Sequence, residues 1–227
     1  MTDAGADLIR ERLHTRYGLP AQPPRLAPLD ELVRTILSQN TNDRNRDTAY
    51  RALKDRFGSW KEVLQVSRSE LAGIISPAGL GPTKSRRIRD ILSGIYEKGE
   101  RDLLKLCSLP PREALERLLA LKGVGPKTAA CVLLFSCGHP AFPVDTHIHR
   151  IAGRLGLLPE GADRHRAHER LGDLFPQEHY LELHLNLIRL GREVCRPNKP
   201  LCPACPIQDL CRWAAGRAQA GERRAAR

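Results

Sequence analysis

The chain has 227 residues, 41% of them hydrophobic and 28% charged, which is enough for one or two globular domains with a sizeable core. Lysine and arginine outnumber aspartate and glutamate by 37 to 26, giving a formal net charge of +11. This excess favours a polyanionic partner, most simply nucleic acid, although charge alone leaves open a basic surface without a partner. Aromatic residues make up only 4% of the chain, which disfavours a stacking platform for single strands and favours duplex binding through phosphates.

The N-terminal segment, residues 1–19, is amphipathic and charged, and no apolar run approaches the roughly 18 residues that a membrane-spanning helix requires. We therefore expect no membrane partner and a cytoplasmic location, where disulfides are disfavoured. Cys107, Cys131 and Cys137 each stand singly in apolar surroundings. They are predicted to be small buried hydrophobic residues.

Nearly every segment repeats its apolar residues at the helical spacing i, i+3 and i+4, and almost none alternates as a strand would. The segments with this pattern are residues 1–19, 29–40, 43–58, 60–67, 67–76, 84–99, 111–121, 127–137, 145–157, 164–175 and 179–195. Short glycine and proline segments separate them, so the chain is predicted to be all-α. A proline-rich stretch at residues 20–28 isolates the first helix, and residues 217–227 are predicted to form a flexible tail.

Residues 118–132 predict a helical hairpin: one helix, a glycine turn and a second helix. Gly123 and Gly125 allow a tight turn that brings the backbone close to a ligand, and Pro126 takes the favoured first position of the second helix. The start of that helix presents N–H groups and the positive end of a helix dipole. Such a turn binds phosphate and positions a protein on a nucleic-acid backbone without reading its sequence.

Lys127 lies in the first turn of the second hairpin helix, where the dipole and any desolvation disfavour the ammonium form. A partly neutral amine is a nucleophile, although a lysine that only pairs with phosphate fits the same local sequence. Asp145, about one helix downstream, is predicted to cap the helix that follows it. It can also face Lys127, and an amine and a carboxylate on either side of a sugar are what cleavage of an N-glycosidic bond needs.

Four cysteines near the C-terminus follow the spacing C-x6-C-x2-C-x5-C; they are Cys195, Cys202, Cys205 and Cys211. Four thiolates this close together predict a metal centre rather than free thiols. A structural zinc site usually has two short Cys-x2-Cys pairs, whereas this run has one and its wider spacings suit an iron–sulfur cubane. Spacing alone leaves zinc open.

The motifs LKGVGPKTA, VDTH and the four-cysteine run occur in this order, and together they are very specific. From about residue 25 to Cys211, the chain resembles the endonuclease III family of helix-hairpin-helix DNA glycosylases. The resemblance implies a [4Fe–4S] cluster on the four cysteines, Lys127 as a Schiff-base nucleophile and Asp145 as an essential carboxylate. It also implies a monomeric, nucleoid-associated DNA glycosylase and AP lyase that flips oxidised pyrimidines out of duplex DNA.

The same resemblance assigns residues that contact DNA. Asn40 would fill the space left by the flipped base with Gln39 beside it, and Leu80 would press against the opposite strand. A simpler interpretation is that Asn40 caps the end of its own helix. The other predicted DNA contacts lie in the hairpin and in the cysteine run; they are Lys122, Gly123, Val124, Gly125, Arg196 and Lys199.

The family fold implies a six-helix barrel at residues 25–138 and a helical iron–sulfur cluster domain made of residues 1–24 and 139–227, with the active site in a cleft between them. Two residues depart from the family pattern. Lys122 stands where proline is usual, and Leu190 where histidine is frequent. Both are expected to affect substrate range and not the core chemistry.

Two other functions stay open. Monofunctional adenine or mismatch glycosylases resemble the chain through the cluster, but they tend to lack a lysine at the position of Lys127. The adenine enzymes also carry a further C-terminal domain, for which the residues after Cys211 are too few. A non-catalytic hairpin protein would bind DNA for architecture, yet phosphate binding alone does not require Lys127 and Asp145 together.

Overall fold

The computed structural model describes residues 3–97 and 101–217, and its secondary structure is helical. The α-helices are α1 (Asp3–Tyr17), α2 (Pro28–Leu37), α3 (Asp43–Arg56), α4 (Arg68–Ile74), α5 (Gly81–Glu97), α6 (Pro111–Ala120), α7 (Pro126–Val132), α8 (Thr146–Leu155), α9 (Arg164–Leu174) and α10 (Tyr180–Glu193). No β-strand occurs in these residues. The prediction of an all-α chain is confirmed.

Two segments differ from the predicted helices. Residues 60–67 form only the 3₁₀ turn Glu62–Leu64, because Ser67 is extended and its Oγ accepts the backbone N–H of Glu70 at 3.1 Å as the N-cap of α4. The predicted helix at residues 127–137 is regular only to Val132, and it continues as the wider turn Leu133–Cys137. The second difference arises at a helix end, where periodicity carries little information.

The described chain forms two compact units: Pro24–His139, here called the hairpin unit, and Met1–Pro23 with Pro140–Arg227, here called the cysteine unit. The hairpin unit contains α2 to α7. Its central helix is α2, which packs against α3, α5 and α7. The apolar side chains of Leu32, Ile36 and Leu37 have no exposed surface because they lie on the inner face of α2.

The cysteine unit joins the first helix to the C-terminal part of the chain. Helix α1 buries its apolar stripe, Ile9 and Leu13, against α10, and α10 packs against α8. A polar contact strengthens this packing, since Nδ1 of His14 lies 2.7 Å from Oε1 of the buried Glu182. Residues 212–217 are helical, and residues 218–227, on which most of the predicted tail falls, lie outside the described residues.

The prediction for Cys107 and Cys137 is wrong. They form a disulfide with their Cα atoms 4.7 Å apart, and Cys107 is exposed. The 3₁₀ segment Arg101–Ser108 packs beside the turn Leu133–Cys137, which brings together two cysteines that look isolated in the sequence. Cys131 is buried, as predicted.

None of the helices in the described ranges is long and apolar enough to span a membrane.

The disulfide closes the loop that contains the hairpin, so it should stabilise the hairpin unit. We predict that Cys107→Ser lowers the free energy of unfolding by about 2–4 kcal/mol, since the cross-link restricts the unfolded chain. Urea unfolding with and without reductant measures this. Reductant should weaken the unaltered protein and the control Cys131→Ala alike, and leave Cys107→Ser unchanged. A reductant-independent midpoint for the unaltered protein would show that the disulfide does not form.

Candidate nucleic-acid interface and active site

The hairpin turn, residues 121–125, joins α6 to α7. Helix α6 ends at Ala120, and the turn closes through a hydrogen bond from Val124 N–H to Leu121 O at 3.0 Å. Gly123 has φ +94°, a conformation that side chains rarely adopt, so glycine is required there. Pro126 then begins α7 as predicted.

The turn leaves backbone donors free for a ligand. The N–H groups of Gly123 and Gly125 have no acceptor among the described residues. Val124 differs from them because its N–H is used within the turn and its side chain is buried against the protein. Lys122 is exposed beside these donors. The turn can therefore hold an anion through two glycine N–H groups, the N-terminus of α7 and one lysine.

Lys127 is half-buried in the first turn of α7. Helix α2 packs against α7 and brings a buried carboxyl, Glu31, into the electrostatic range of this amine. Burial raises the pKa of Glu31, while the positive charges of Arg34 and Lys127 act in the opposite direction. Sequence reasoning missed Glu31, because an acidic residue in the first turn of a helix reads as an ordinary complement to the helix dipole.

Asp145 is the N-cap of α8, as predicted. Its Oδ1 accepts the backbone N–H of Ile148 at 2.8 Å, and its Oδ2 has no hydrogen-bond partner among the described residues. The side chain is half-buried. Asp145 therefore has a fixed orientation and one carboxylate oxygen available for other chemistry.

Asn40 and Leu80 share an unusual backbone conformation. Within the described ranges they are the non-glycine residues with positive φ, at 51° and 54°. Both are exposed, Leu80 by 52%. Helix α2 ends at Leu37 with Ser38 as its C-cap, which removes the interpretation of Asn40 as a helix cap. Asparagine tolerates this conformation but leucine does not, so the turn at Leu80 holds strain of the kind that collects at functional sites.

A lysine that the sequence did not single out links these two turns. Lys84 is only 2% exposed, and its Nζ donates hydrogen bonds to Leu37 O and Ala78 O, both at 2.8 Å. Burial lowers the pKa of its amine. Lys84 belongs to a basic run that reads as a surface, yet it is four residues before the buried Ile88 on α5, and this spacing places both on one face.

Arg87 lies one turn after Lys84 on α5. It contacts both the turn that carries Asn40 and the hairpin turn. Its Nη1 donates to Oε1 of Gln39 at 2.8 Å. Its side chain also lies 3.4 Å from the position that a Cβ on Gly123 would occupy. Gln39 is therefore held in one orientation, and Arg87 packs against the hairpin turn at van der Waals distance.

Two arginines of α8 donate hydrogen bonds to the start of the cysteine loop, residues 195–211, and to the last turn of α10. Arg150 Nη2 donates to Gly191 O at 3.0 Å and to Cys195 O at 2.9 Å. Arg154 donates to Arg196 O at 2.7 Å, and its Nη1 lies 3.2 Å from Cys195 Sγ. The predicted phosphate contacts Arg196 and Lys199 are exposed on this loop.

The four thiols of the cysteine loop are free and partly exposed; they are Cys195, Cys202, Cys205 and Cys211. Burial raises the pKa of the Cys205 thiol to about 11, and the charges of the other three cysteines add to this shift. Across the part of the chain that the structure describes, no group of three or more cysteine, histidine or acidic side chains is arranged to hold a metal ion. The thiols are nevertheless close enough to repel one another as thiolates, a repulsion that a bound cation would relieve.

Comparison with known proteins identifies the family of this chain. The family model described as HhH-GPD superfamily base excision DNA repair protein matches residues 33–177, well over half of the chain. The chain is 39% identical over 195 residues to a putative DNA glycosylase of Arabidopsis thaliana, with 80% of this chain and 67% of that protein covered. It is 33% identical over 187 residues to endonuclease III of Thermotoga maritima, with 82% and 83% covered.

Solved structures of DNA glycosylases are also similar to this chain. An endonuclease III in a trapped covalent intermediate with DNA superposes with a TM-score of 0.81 at 25% identity, covering 96% of this chain and 99% of that one. A thermostable thymine-DNA glycosylase shares the fold, with a TM-score of 0.75 at 20% identity and 94% and 98% covered. The chain belongs to the HhH-GPD superfamily of base excision DNA repair proteins and, within it, to the endonuclease III family of helix-hairpin-helix DNA glycosylases.

Proposed function

We propose that this DNA glycosylase is bifunctional: it removes an oxidised pyrimidine from duplex DNA and then cleaves the strand as an AP lyase, with Lys127 as the nucleophile and Asp145 as the assisting carboxylate. The observation that carries the proposal is the position of Lys127. The amine lies in the first turn of α7, directly after two free glycine N–H groups that can hold a phosphate. A phosphate bound there brings the backbone of the strand to the nucleophile.

The hairpin turn would bind the DNA backbone without reading its sequence. Gly123 and Gly125 supply N–H groups, Lys122 supplies a charge, and the buried Val124 keeps the turn in shape. Arg196 and Lys199 on the cysteine loop would contact further phosphates. Duplex DNA is the proposed partner, in agreement with the net charge of +11, and the protein would act as a monomer in the cytoplasm, on the nucleoid.

In the reaction, Lys127 Nζ forms a bond to the anomeric carbon of the flipped nucleotide while the bond from that carbon to the base breaks. The base leaves with the bonding electrons and takes up a proton. Asp145 accepts a proton from the attacking amine and offsets the positive charge that develops on the sugar. The bond from the anomeric carbon to the ring oxygen then breaks as the lysine nitrogen forms a double bond to that carbon, and the ring oxygen takes up a proton. The imine that results acidifies the neighbouring sugar proton. Loss of this proton then expels the 3′ phosphate by β-elimination, which nicks the strand.

Removal of a flipped base needs a residue that replaces it in the stack. We assign this role to Asn40, with Gln39 beside it and Leu80 on the opposite strand. The exposure of Asn40 and Leu80 supports the assignment, and so does the strained conformation of Leu80, because strained residues are retained where they serve a function. Gln39 would meet the duplex in the single orientation that Arg87 allows.

We further propose that Cys195, Cys202, Cys205 and Cys211 hold a [4Fe–4S] cluster. Four free thiols in one loop are the soft donor set that iron–sulfur clusters use. The arginine donor at Cys195 Sγ is the kind of contact that stabilises charge on a ligating sulfur. When bound, the cluster would cross-link the loop, and Arg196 and Lys199 would then be presented to phosphates from a fixed backbone.

The chemistry is tested by separating base release from strand cleavage. We predict that Lys127→Gln loses both base release and strand cleavage while DNA affinity stays within a few-fold. Asp145→Asn should slow base release by about two to three orders of magnitude, since removal of one charge-stabilising group commonly costs that much. Single-turnover assays on lesion and abasic duplexes measure both steps. Lys122→Gln is the matched control, because it removes a neighbouring lysine and should weaken only binding.

The role of Asn40 is tested with two substrates. Asn40→Ala should reduce excision from a lesion duplex far more than cleavage of a preformed abasic duplex, because only the first requires a paired base to leave the stack. Asn42→Ala is the matched control, since Asn42 caps α3 through a 2.9 Å hydrogen bond from Asn45 N–H. Equal losses on both substrates would assign Asn40 a role in folding.

The metal assignment is tested by elemental analysis. An anaerobic preparation should contain about four irons per chain, and Cys202→Ala should lose iron and fold poorly in the cysteine loop. One equivalent of zinc without iron would contradict the cluster.

Neutralising Arg196 or Lys199 should weaken binding to every DNA sequence alike and reduce the slope of log affinity against log salt concentration by about one.

A further inference from the structure

Lys84 is a buried lysine that the proposed mechanism does not use. Lysine is almost never fully buried unless it is paired, because an ammonium loses its hydration there. At 2% exposure, Lys84 has no carboxylate partner among the described residues and donates to two backbone carbonyls instead. Such an arrangement requires a reason beyond packing, since an apolar side chain would fill the same space at lower cost.

The positions of the two carbonyls in the chain indicate why Lys84 is buried. Leu37 O belongs to the last residue of α2, where helix carbonyls lack partners and the dipole is negative, so it attracts a cation. Leu37 precedes Asn40 by three residues. Ala78 O ends the 3₁₀ turn Ser76–Ala78 and precedes Leu80 by two residues. One ammonium group therefore joins the turn that carries Asn40 to the turn that carries Leu80.

The turn at Leu80 needs external support, because leucine disfavours the left-handed backbone conformation that it has there. Asn40 has the same conformation, which asparagine tolerates. The Leu80 turn is also held from the other side, because a Cβ on Gly81 would come 2.8 Å from Ala72 O in α4. Lys84 supports it again through its own N–H, which donates to Leu80 O at 2.9 Å. The turn at Asn40 is held by Arg87 through Gln39, whereas the Nζ of Lys84 bonds carbonyls of both turns and so joins one to the other.

We propose that Lys84 is a positioning residue: it fixes the two turns to each other, so that Asn40 and Leu80 enter the duplex together, one on each strand. The inference rests on the proposed function, which assigns those two residues to the DNA. A lysine suits the task because it carries several donors on a long stem and reaches two carbonyls of different turns at once. Methionine fills a similar volume and donates nothing, so Lys84→Met breaks the link and leaves the packing nearly intact.

The experiment compares two rates in Lys84→Met: excision from a lesion duplex and cleavage of a preformed abasic duplex. We expect the ratio of excision to cleavage to fall by about tenfold or more, because only excision requires both strands to be opened. Ile95→Ala is the matched control. Ile95 is buried at the far end of the same helix, so its loss should lower stability in urea and leave the ratio unchanged.

A double variant tests the link itself. If Lys84 acts through Asn40, the variant that combines Lys84→Met with Asn40→Ala should lose little more than the worse single variant. Losses that multiply would overturn the proposal, and so would a Lys84→Met ratio equal to that of the unaltered protein. If the Lys84→Met ratio is unchanged, excision by the unaltered protein would still support the proposed function. If the unaltered protein released no base, the proposed function would fail and this inference with it.

Two further measurements decide the matter if Lys84→Met does not fold. Lys84→Gln retains donors for one of the two carbonyls. Its ratio of excision to cleavage should therefore lie between the ratios of Lys84→Met and the unaltered protein. In the unaltered protein labelled with ¹⁵N-lysine, one Nζ group should exchange its hydrogens slowly because it is buried and bonded. Fast exchange at every lysine, or a Lys84→Gln ratio that does not change, would overturn the proposal.

Discussion

The structure depends on how α7 begins. The turn before it requires the left-handed conformation of Gly123, and that turn leaves glycine N–H groups free at the positive end of the helix. Lys127 follows within one turn, so the proposed phosphate site and the proposed nucleophile are set by the same few residues. Helix α2 packs on α7 and carries the turn with Asn40, while α5 places Arg87 against Gly123. The predicted chemistry and the predicted base replacement therefore share one packed scaffold.

This scaffold retains features that lower stability. Glu31 and Lys84 are buried charged groups, and burial shifts the pKa of each towards its neutral form. Leu80 holds a conformation that leucine disfavours. All three lie in the hairpin unit, and the disulfide between Cys107 and Cys137 closes a loop in that same unit. We interpret the cross-link as an offset for this strain and these buried charges.

The sequence predicted the features that depend on local pattern. Helical periodicity identified an all-α chain, the glycine and proline spacing placed the hairpin turn, and the position of Asp145 before a helix predicted its cap. Glu31, Lys84 and the disulfide, which sequence reasoning missed, depend on contacts between distant segments. Lys84 reads as part of a basic surface until α2 and the turn before α5 are brought to it. Cys107 and Cys137 look isolated for the same reason.

The central claim is that Lys127 forms a covalent bond to the sugar, and the most direct test is to locate that bond. The protein is mixed with lesion duplex in the presence of borohydride, which reduces an imine to a stable adduct, and the digested complex is sequenced by mass spectrometry. We expect one adduct, on Lys127, and none in Lys127→Gln. An adduct on Lys122 or another amine would contradict it. So would efficient base release by Lys127→Gln with Asp145 still required, which would identify a water nucleophile and a monofunctional glycosylase.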